Sequence, residues 1–208
     1  ICERGAEYLG CSPDDVEFDG EKVVNLKTKE EITRKEIGNK VMCSSNAPLS
    51  ATEAFSSPVS PPPFMVGIAE VEIDKETGVV EPIDYAAVVD CGTVVNPNLA
   101  RVQTEGGIAQ GIGMALYEDI IYSEKGKNYS NSFMQYKIPS RLDVGEIRVE
   151  FESSYEPTGP FGAKSIGEIV INTPSPAISN AVQNAVGVIV RELPITAEKV
   201  YKGMAEKE

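Results

Sequence analysis

Residues 64–89, FMVGIAEVEIDKETGVVEPIDYAAVV, decide the fold that this sequence predicts. In the first part, apolar or small residues fall at every second position: Met65, Gly67, Ala69, Val71 and Ile73. Alternation with a period of two is typical of a strand with one buried face. Residues 75–78 (KETG) form a turn with glycine where a positive φ is favoured, and residues 79–89 form the return strand. The segment therefore predicts an antiparallel ribbon.

A long helical pattern follows the ribbon at residues 99–118. Its predicted apolar stripe consists of Leu99, Val102, Ile108, Ile112, Ala115 and Leu116. Four glycines interrupt the helix, and each one inside a helix costs about 1 kcal/mol relative to alanine. They are Gly106, Gly107, Gly111 and Gly113. Either a backbone or a cofactor approaches these glycines closely, or they permit tight packing of the helix on a sheet.

Shorter elements are predicted on both sides of this unit. Before it we expect a helix at residues 1–10, strands at 16–18 and 22–26, and a helix at 34–40 that Thr33 caps, with Glu36 completing a capping box. After it we expect strands at 133–137 and 147–153, a helix that begins near Thr173, and a last short helix capped by Thr196. The fold class is therefore α+β, with an antiparallel or mixed sheet and packed helices.

The chain is expected to have three parts. Residues 1–42 form a partial N-terminal lobe, residues 43–63 a connection rich in proline and serine, and residues 64–208 the C-terminal lobe. The connection is either a surface loop or a segment that lies against a partner chain or gates an active site. The chain begins with isoleucine inside a helical pattern, so we interpret it as a fragment of a longer polypeptide.

Composition narrows the possible functions. The net charge of −13 argues against nucleic-acid binding, which needs clustered Lys and Arg, and no apolar run approaches membrane-spanning length. Histidine is absent, which excludes Ser-His-Asp, Cys-His and His-metal mechanisms. The four cysteines form no C-x-x-C pair, and we interpret them as free, mostly buried thiols of a cytoplasmic protein. Any chemistry must then use a carboxylate, Lys, Tyr, Cys or a cofactor.

Residues 162–168, GAKSIGE, place one carboxylate at the end of a glycine-flanked turn. Glu168 has apolar neighbours in the sequence on both sides, namely Ile166 and residues 169–171. A carboxylate that loses hydration has a raised pKa, so we expect a raised pKa for Glu168. A general base working near neutral pH needs this adjustment. The alternative is a structural glutamate that starts a helix or lies on the surface.

Four segments together resemble the molybdenum-binding part of the xanthine dehydrogenase and aldehyde oxidase family. They are residues 89–97 (VDCGTVVNP), 103–113 (QTEGGIAQGIG), 159–168 (GPFGAKSIGE) and 191–200 (RELPITAEKV). Order and spacing agree through most of residues 60–203, whereas residues 1–60 match loosely. Many family members have two prolines after the glutamate, where this chain has Ile169 and Val170. That difference leaves the subfamily, and so the substrate, open.

The resemblance implies roles for individual residues. Glu168 matches the catalytic glutamate, and Gln103 matches a glutamine that contacts the pterin of the molybdenum cofactor. The turn beside the cofactor is matched by Lys164, Ser165, Ile166 and Gly167, and the glycines of the helix that would approach it are Gly106 and Gly107. No residue of this chain is assigned as a metal ligand, since the family's metal is held by the pterin dithiolene.

The implied reaction is hydroxylation of an electron-poor carbon in an N-heterocycle, purine-like or nicotinate-like, or in an aldehyde, with oxygen from water. The implied cofactor is molybdopterin or its cytosine dinucleotide form, with iron–sulfur clusters and FAD on other domains or subunits. The rest of the molybdopterin domain, including glycine-rich segments and an arginine that orients the substrate, would precede residue 1. The chain is therefore expected not to hold the cofactor by itself. The alternative is a non-catalytic α+β module whose glycines and Glu168 serve packing with partner chains.

Overall fold

A computed structural model describes residues 1–44, 48–54 and 56–206. The chain divides into two compact units, Ile1–Phe55 and Ser56–Glu208, and the boundary falls within the 43–63 connection. Residues 45–47 and 55 of that connection lie outside the described residues.

The first unit is a small three-stranded sheet with two helices. Its elements are α1 (Cys2–Leu9), β1 (Val16–Phe18), β2 (Lys22–Asn25), β3 (Glu31–Thr33) and α2 (Arg34–Met42). The strands pair antiparallel in the order β1-β2-β3, and Val23, Ile32, Ile37 and Val41 form the core. The predicted capping box is confirmed, since Thr33 accepts from the Glu36 N–H while the Glu36 carboxylate accepts from Thr33.

The second unit is built on a mixed sheet of three strands. They are β4 (Phe64–Ile73), β5 (Val80–Asp90) and β6 (Glu146–Phe151). β4 pairs antiparallel with β5, and β6 pairs parallel with the other edge of β5. Exposed and half-buried residues alternate along all of β4, so the predicted ribbon is confirmed. The α+β class is confirmed as well.

Three helices complete this unit: α3 (Pro97–Leu116), α4 (Pro174–Val186) and α5 (Ala197–Ala205). α4 packs against β4 and α3, where the buried Tyr85 hydroxyl donates to Thr173 Oγ1 at 2.8 Å. In α3 the predicted stripe is right for its second half, because Ile108 and Ile112 are fully buried. Leu99 and Val102 are exposed instead. The start of α3 therefore presents apolar side chains outside the core.

The strand predicted at residues 133–137 is wrong. The N–H groups of Gln135 and Tyr136 both donate to the Ser132 carbonyl, at 3.0 and 2.8 Å, which makes a turn. Phe133 and Met134 are about four-fifths exposed, at 81% and 80%. A short run of aromatic and apolar residues has the composition of a strand, but none of the described strands pairs with it.

The cysteine prediction is right in one respect. All four thiols are free, but Cys91 is buried, Cys43 is exposed, and Cys2 and Cys11 are half-buried, so they are not mostly buried. Among the described residues, no helix has both the length and the apolar character that crossing a bilayer requires.

Candidate active site

The 159–168 turn is fastened to the end of β5 by backbone hydrogen bonds. The Thr93 N–H donates to the Gly162 carbonyl at 2.8 Å, and the Lys164 N–H donates to the Cys91 carbonyl at 2.7 Å. Gly92 lies between these contacts with φ +69°, and a Cβ there would come within 2.3 Å of the Gly162 oxygen. Glycine is therefore needed at this position both for its backbone conformation and for the close approach.

A buried ion pair reinforces this attachment. Lys164 Nζ lies 2.6 Å from Asp90 Oδ2, and 7% of the Lys164 side chain is exposed. Ser154 Oγ and the Gly92 N–H donate to Asp90 Oδ1 at 2.6 and 3.0 Å. Desolvation of the Asp90 carboxylate acts in the opposite direction, but hydrogen bonds from Lys164, Ser154 and Gly92 lower its pKa to about 2. The Lys164 ammonium is thus committed to Asp90.

One side of the turn borders a cleft of about 500 Å³. Ile166 and Gly167 line it from the turn, and Gln103 lines it from α3. A Cβ built on Gly167 would lie 3.7 Å from Gln103 Nε2, so the side-chain amide faces the turn backbone. We call this the amide cleft.

The other side of the turn borders a second cleft of about 370 Å³, here called the carboxylate cleft. Ser165 and Glu168 line it, together with Ser57, Val59, Ser60 and Pro61 from the end of the 43–63 connection. Ser57 Oγ donates to the Thr158 carbonyl at 2.9 Å, which ties the connection to the turn. This part of the connection is therefore a wall of the candidate site.

The sequence predicts a raised pKa for Glu168, and the structure contradicts this. Glu168 is exposed, and a hydrogen bond from Ser165 Oγ lowers the pKa of its carboxyl. The apolar neighbours do not surround the carboxylate. Val170 is fully buried against Gly107 of α3, and Ile166 lines the amide cleft. Proximity in the sequence therefore does not produce an apolar environment, because these side chains point away from the carboxylate cleft.

The helical glycines differ in what they face. A Cβ on Gly107 would lie 2.1 Å from Val170 Cγ2, and one on Gly111 would lie 2.6 Å from Pro174. These two glycines serve packing. A Cβ on Gly106 would meet no described atom within 4 Å. Two glycines were predicted to approach a cofactor. The space in front of Gly106 is open, whereas the space in front of Gly107 is filled by Val170 of this chain.

Sequence reasoning missed Asp90 and Ser154. Asp90 stands in a quoted motif, but its partner Lys164 is 74 positions away, and Ser154 follows β6. An acidic residue at the end of a buried strand is a sequence signal for a paired carboxylate. The neighbouring sequence does not identify the residue that pairs with it. Within the described part of the chain, no cluster of His, Cys, Asp and Glu is arranged to hold a metal ion.

The comparisons with known proteins agree with one another. The family model for the molybdopterin cofactor-binding domain matches residues 1–145. The probable hypoxanthine oxidase XdhD of Escherichia coli strain K12 is 34% identical over 98% of this chain and 21% of that protein. The gamma subunit of the 6-hydroxypseudooxynicotine dehydrogenase complex of Paenarthrobacter nicotinovorans is 31% identical over 94% of this chain and 26% of that protein.

A solved structure extends this similarity to the fold. The Cu,Mo-CO dehydrogenase in its carbon monoxide reduced state superimposes with a TM-score of 0.79 and 25% identity, over 99% of this chain and 27% of that one. The family model, the relatives and the fold together place the chain among molybdopterin cofactor-binding proteins. The chain belongs to the xanthine dehydrogenase and aldehyde oxidase family of molybdenum hydroxylases, and its residues 1–145 match the family's molybdopterin cofactor-binding domain.

The extent of these matches adds two facts. Residues 1–60, which resemble the family loosely by motif, lie within the range that the family model matches. The 159–168 turn lies beyond that range but within the 98% of the chain aligned with the Escherichia coli relative. The chain spans about a fifth to a quarter of the length of the curated relatives it matches.

The amide cleft has the chemistry that a pterin needs. Among the described residues, the N–H groups of Ser165, Ile166 and Gly167 donate no hydrogen bond, and the Gln103 side chain makes none. A pterin ring edge presents both acceptors and donors, and a glutamine amide offers both in return. The free N–H groups of Ile166 and Gly167, which line the cleft beside the Gln103 amide, therefore fit the polar edge of this cofactor.

Proposed function

We propose that this chain supplies the base and one cofactor-binding wall of an enzyme that hydroxylates an N-heterocycle or an aldehyde with oxygen from water. The observation that carries the proposal is the position of the turn between two clefts. Ile166 and Gly167, whose N–H groups are free in the described part of the chain, line the amide cleft, and Glu168 lines the carboxylate cleft. A single rigidly held turn can therefore fix the distance between a cofactor and a base.

In this proposal Gln103 and the N–H groups of Ile166 and Gly167 bind the pterin edge, and Gly106 gives it room along α3. The bound cofactor supplies the redox chemistry that takes electrons from the substrate carbon. The hydrogen bond from Ser165 lowers the pKa of Glu168, which keeps the carboxylate ionised and able to accept the proton that the attacking oxygen loses, but makes it a weaker base than the sequence predicted. Lys164 does not contact the cofactor through its ammonium, which is bound to Asp90.

The names of the relatives favour an N-heterocycle. One is a probable hypoxanthine oxidase, and the other belongs to a 6-hydroxypseudooxynicotine dehydrogenase complex. We also propose partners for this chain. Other domains or subunits carry iron–sulfur clusters and FAD and complete the pocket. The cofactor is molybdopterin or its cytosine dinucleotide form, and a cytoplasmic location suits a chain of this charge.

The test is Glu168→Gln in the full assembly. The amide has nearly the same shape but cannot take up the proton, so turnover should fall about 10³-fold. Molybdenum and pterin contents should stay unchanged, which shows that the site remains loaded. Glu76→Gln, in the exposed turn between β4 and β5, is the matched control and should leave turnover intact.

The second candidate is a non-catalytic α+β module that serves assembly with partner chains. It is favoured by the use of Gly107 and Lys164 in internal packing. Unchanged turnover in Glu168→Gln would support it and contradict the catalytic proposal. A related expectation is that the isolated chain holds no cofactor, which molybdenum and pterin analysis can check. Stoichiometric cofactor in the purified chain would overturn that expectation.

A further inference from the structure

We propose that Ser165 is a positioning residue for Glu168, and that its hydroxyl fixes one carboxylate oxygen so that the other faces the carboxylate cleft. This inference rests on the proposed function of Glu168 as the base. It assigns the Ser165 side chain a task separate from the cofactor contacts proposed for Ile166 and Gly167.

The geometry of the turn separates the two tasks. Ser165 and Glu168 line the carboxylate cleft, whereas Ile166 and Gly167, which stand between them in the sequence, line the amide cleft. Ser165 Oγ donates to Glu168 Oε1. Glu168 Oε2 accepts no hydrogen bond from another residue in the described part of the chain. One oxygen is thus held and the other is left free to accept a proton.

Within the carboxylate cleft, this hydrogen bond is the main influence on the pKa of Glu168, because the one other charged lining residue is already paired. Of the residues lining the carboxylate cleft, Lys164 is the other charged one, and its ammonium is 2.6 Å from Asp90. The remaining lining residues from the 43–63 connection and from residues 159–163 carry no charge. A carboxylate that accepts a hydrogen bond in its ionised form is stabilised in that form.

The direction of the effect follows from this. Removal of the Ser165 hydroxyl removes a hydrogen bond to the ionised form, so the pKa of Glu168 rises. The acid limb of the kcat/KM profile then moves to higher pH. The carboxylate also gains rotational freedom, so kcat at the pH optimum should fall about tenfold, while KM changes little.

The first test measures the carboxyl directly, without turnover. The 208-residue chain is labelled with carbon-13 at the glutamate side-chain carboxyls and titrated by NMR, and the Glu168 signal is the one missing from Glu168→Gln. In Ser165→Ala this signal should titrate at higher pH than in the parent chain, and in Ser165→Thr, which keeps the hydroxyl, it should titrate as in the parent. An unchanged titration in Ser165→Ala would overturn the inference.

The second test uses the loaded assembly. Ser165→Ala should shift the acid limb upward and lower kcat, Ser165→Thr should restore both, and cofactor content should match the parent in each. The matched control is Ser50→Ala, an exposed serine of the first unit, which should change neither. A fall in activity without a shift of the acid limb would mean a structural role and contradict the proposal.

Glu168→Gln separates the two levels of inference. If it retains turnover, the proposed function fails, whatever Ser165→Ala does. If it loses turnover while Ser165→Ala keeps the parental profile, the base assignment stands and the positioning role fails. The double variant should be no slower than Glu168→Gln alone, because Ser165 acts through that carboxylate.

Discussion

Two carboxylates at the candidate site have opposite surroundings. Asp90, at the end of β5, has both oxygens bonded within the chain and is paired with a nearly buried ammonium. Glu168, at the end of the turn that Asp90 helps to hold, is exposed and receives a single hydroxyl. The difference shows a division of labour, because a carboxylate saturated by internal bonds can hold a structure while one with a free oxygen can act on a ligand.

The largest expected effect concerns Asp90, the carboxylate whose two oxygens are both bonded within the chain. Asp90→Asn leaves the Lys164 ammonium buried without its counter-charge, which should lower the free energy of unfolding by about 4 kcal/mol. Chemical denaturation of the chain measures this. The double variant Asp90→Asn with Lys164→Met should recover part of the loss, since the uncompensated charge is removed. A loss below about 1 kcal/mol in Asp90→Asn would show that the pair does not hold the turn.

The next effect concerns Gly107, which is packed against another part of the chain. Gly107→Ala places a methyl group against Val170, a stiff and fully buried side chain, and should destabilise the chain by about 2 kcal/mol. Gly106→Ala is the matched control, because the space in front of Gly106 is open. It should be neutral or stabilising by up to about 1 kcal/mol, because alanine favours the helix and meets no atom. Equal destabilisation by both would contradict the difference between the two glycines.

Acid unfolding gives a third contrast. The pKa of Asp90 is about 2 in the fold and about 3.9 in an unfolded chain, so its contribution is fully present above pH 4 to 5 and is lost as the pH falls toward 2. The parent should therefore lose about 2 kcal/mol more than Asp90→Asn between pH 6 and pH 2. Denaturant midpoints of both proteins across that range check this. Parallel curves would mean that Asp90 has an ordinary pKa.

The smallest effect on stability is expected at Glu168, the exposed carboxylate. Glu168→Gln should leave the denaturation midpoint of the chain unchanged, because the Glu168 side chain is exposed and its bond to Ser165 is local. The same variant should be severely impaired in turnover. A large loss of stability would instead place Glu168 among the residues that hold the fold.

Local rules predicted much of this fold. The alternation in β4, the capping box at Thr33 and the cap at Thr196 each depend on residues within a few positions of one another. Such signals can be read from the sequence because the interaction they describe is itself local. The strand predicted at 133–137 failed because strand formation needs a partner, and composition does not supply one.

The candidate site could be predicted as a set of residues but not as an environment. Gln103 and Gly167 line one cleft and Glu168 lies on the same turn, while the roles that the resemblance implies for them stay predictions. The pKa of Glu168 has the opposite direction from the one predicted, since it depends on where neighbouring side chains point. The Lys164–Asp90 pair joins positions 74 residues apart, which no local pattern identifies.

The parallel pairing of β5 and β6 has a consequence for the order of folding. The ribbon of β4 and β5 closes a short turn, whereas pairing Asp84 with Glu146 closes a loop of about 60 residues, which costs about 2 kcal/mol more in chain entropy. We expect pulsed hydrogen exchange to protect amides of the ribbon before the Thr93 and Lys164 amides that fasten the turn. The geometry of the site would then be established late, on a scaffold that forms without it.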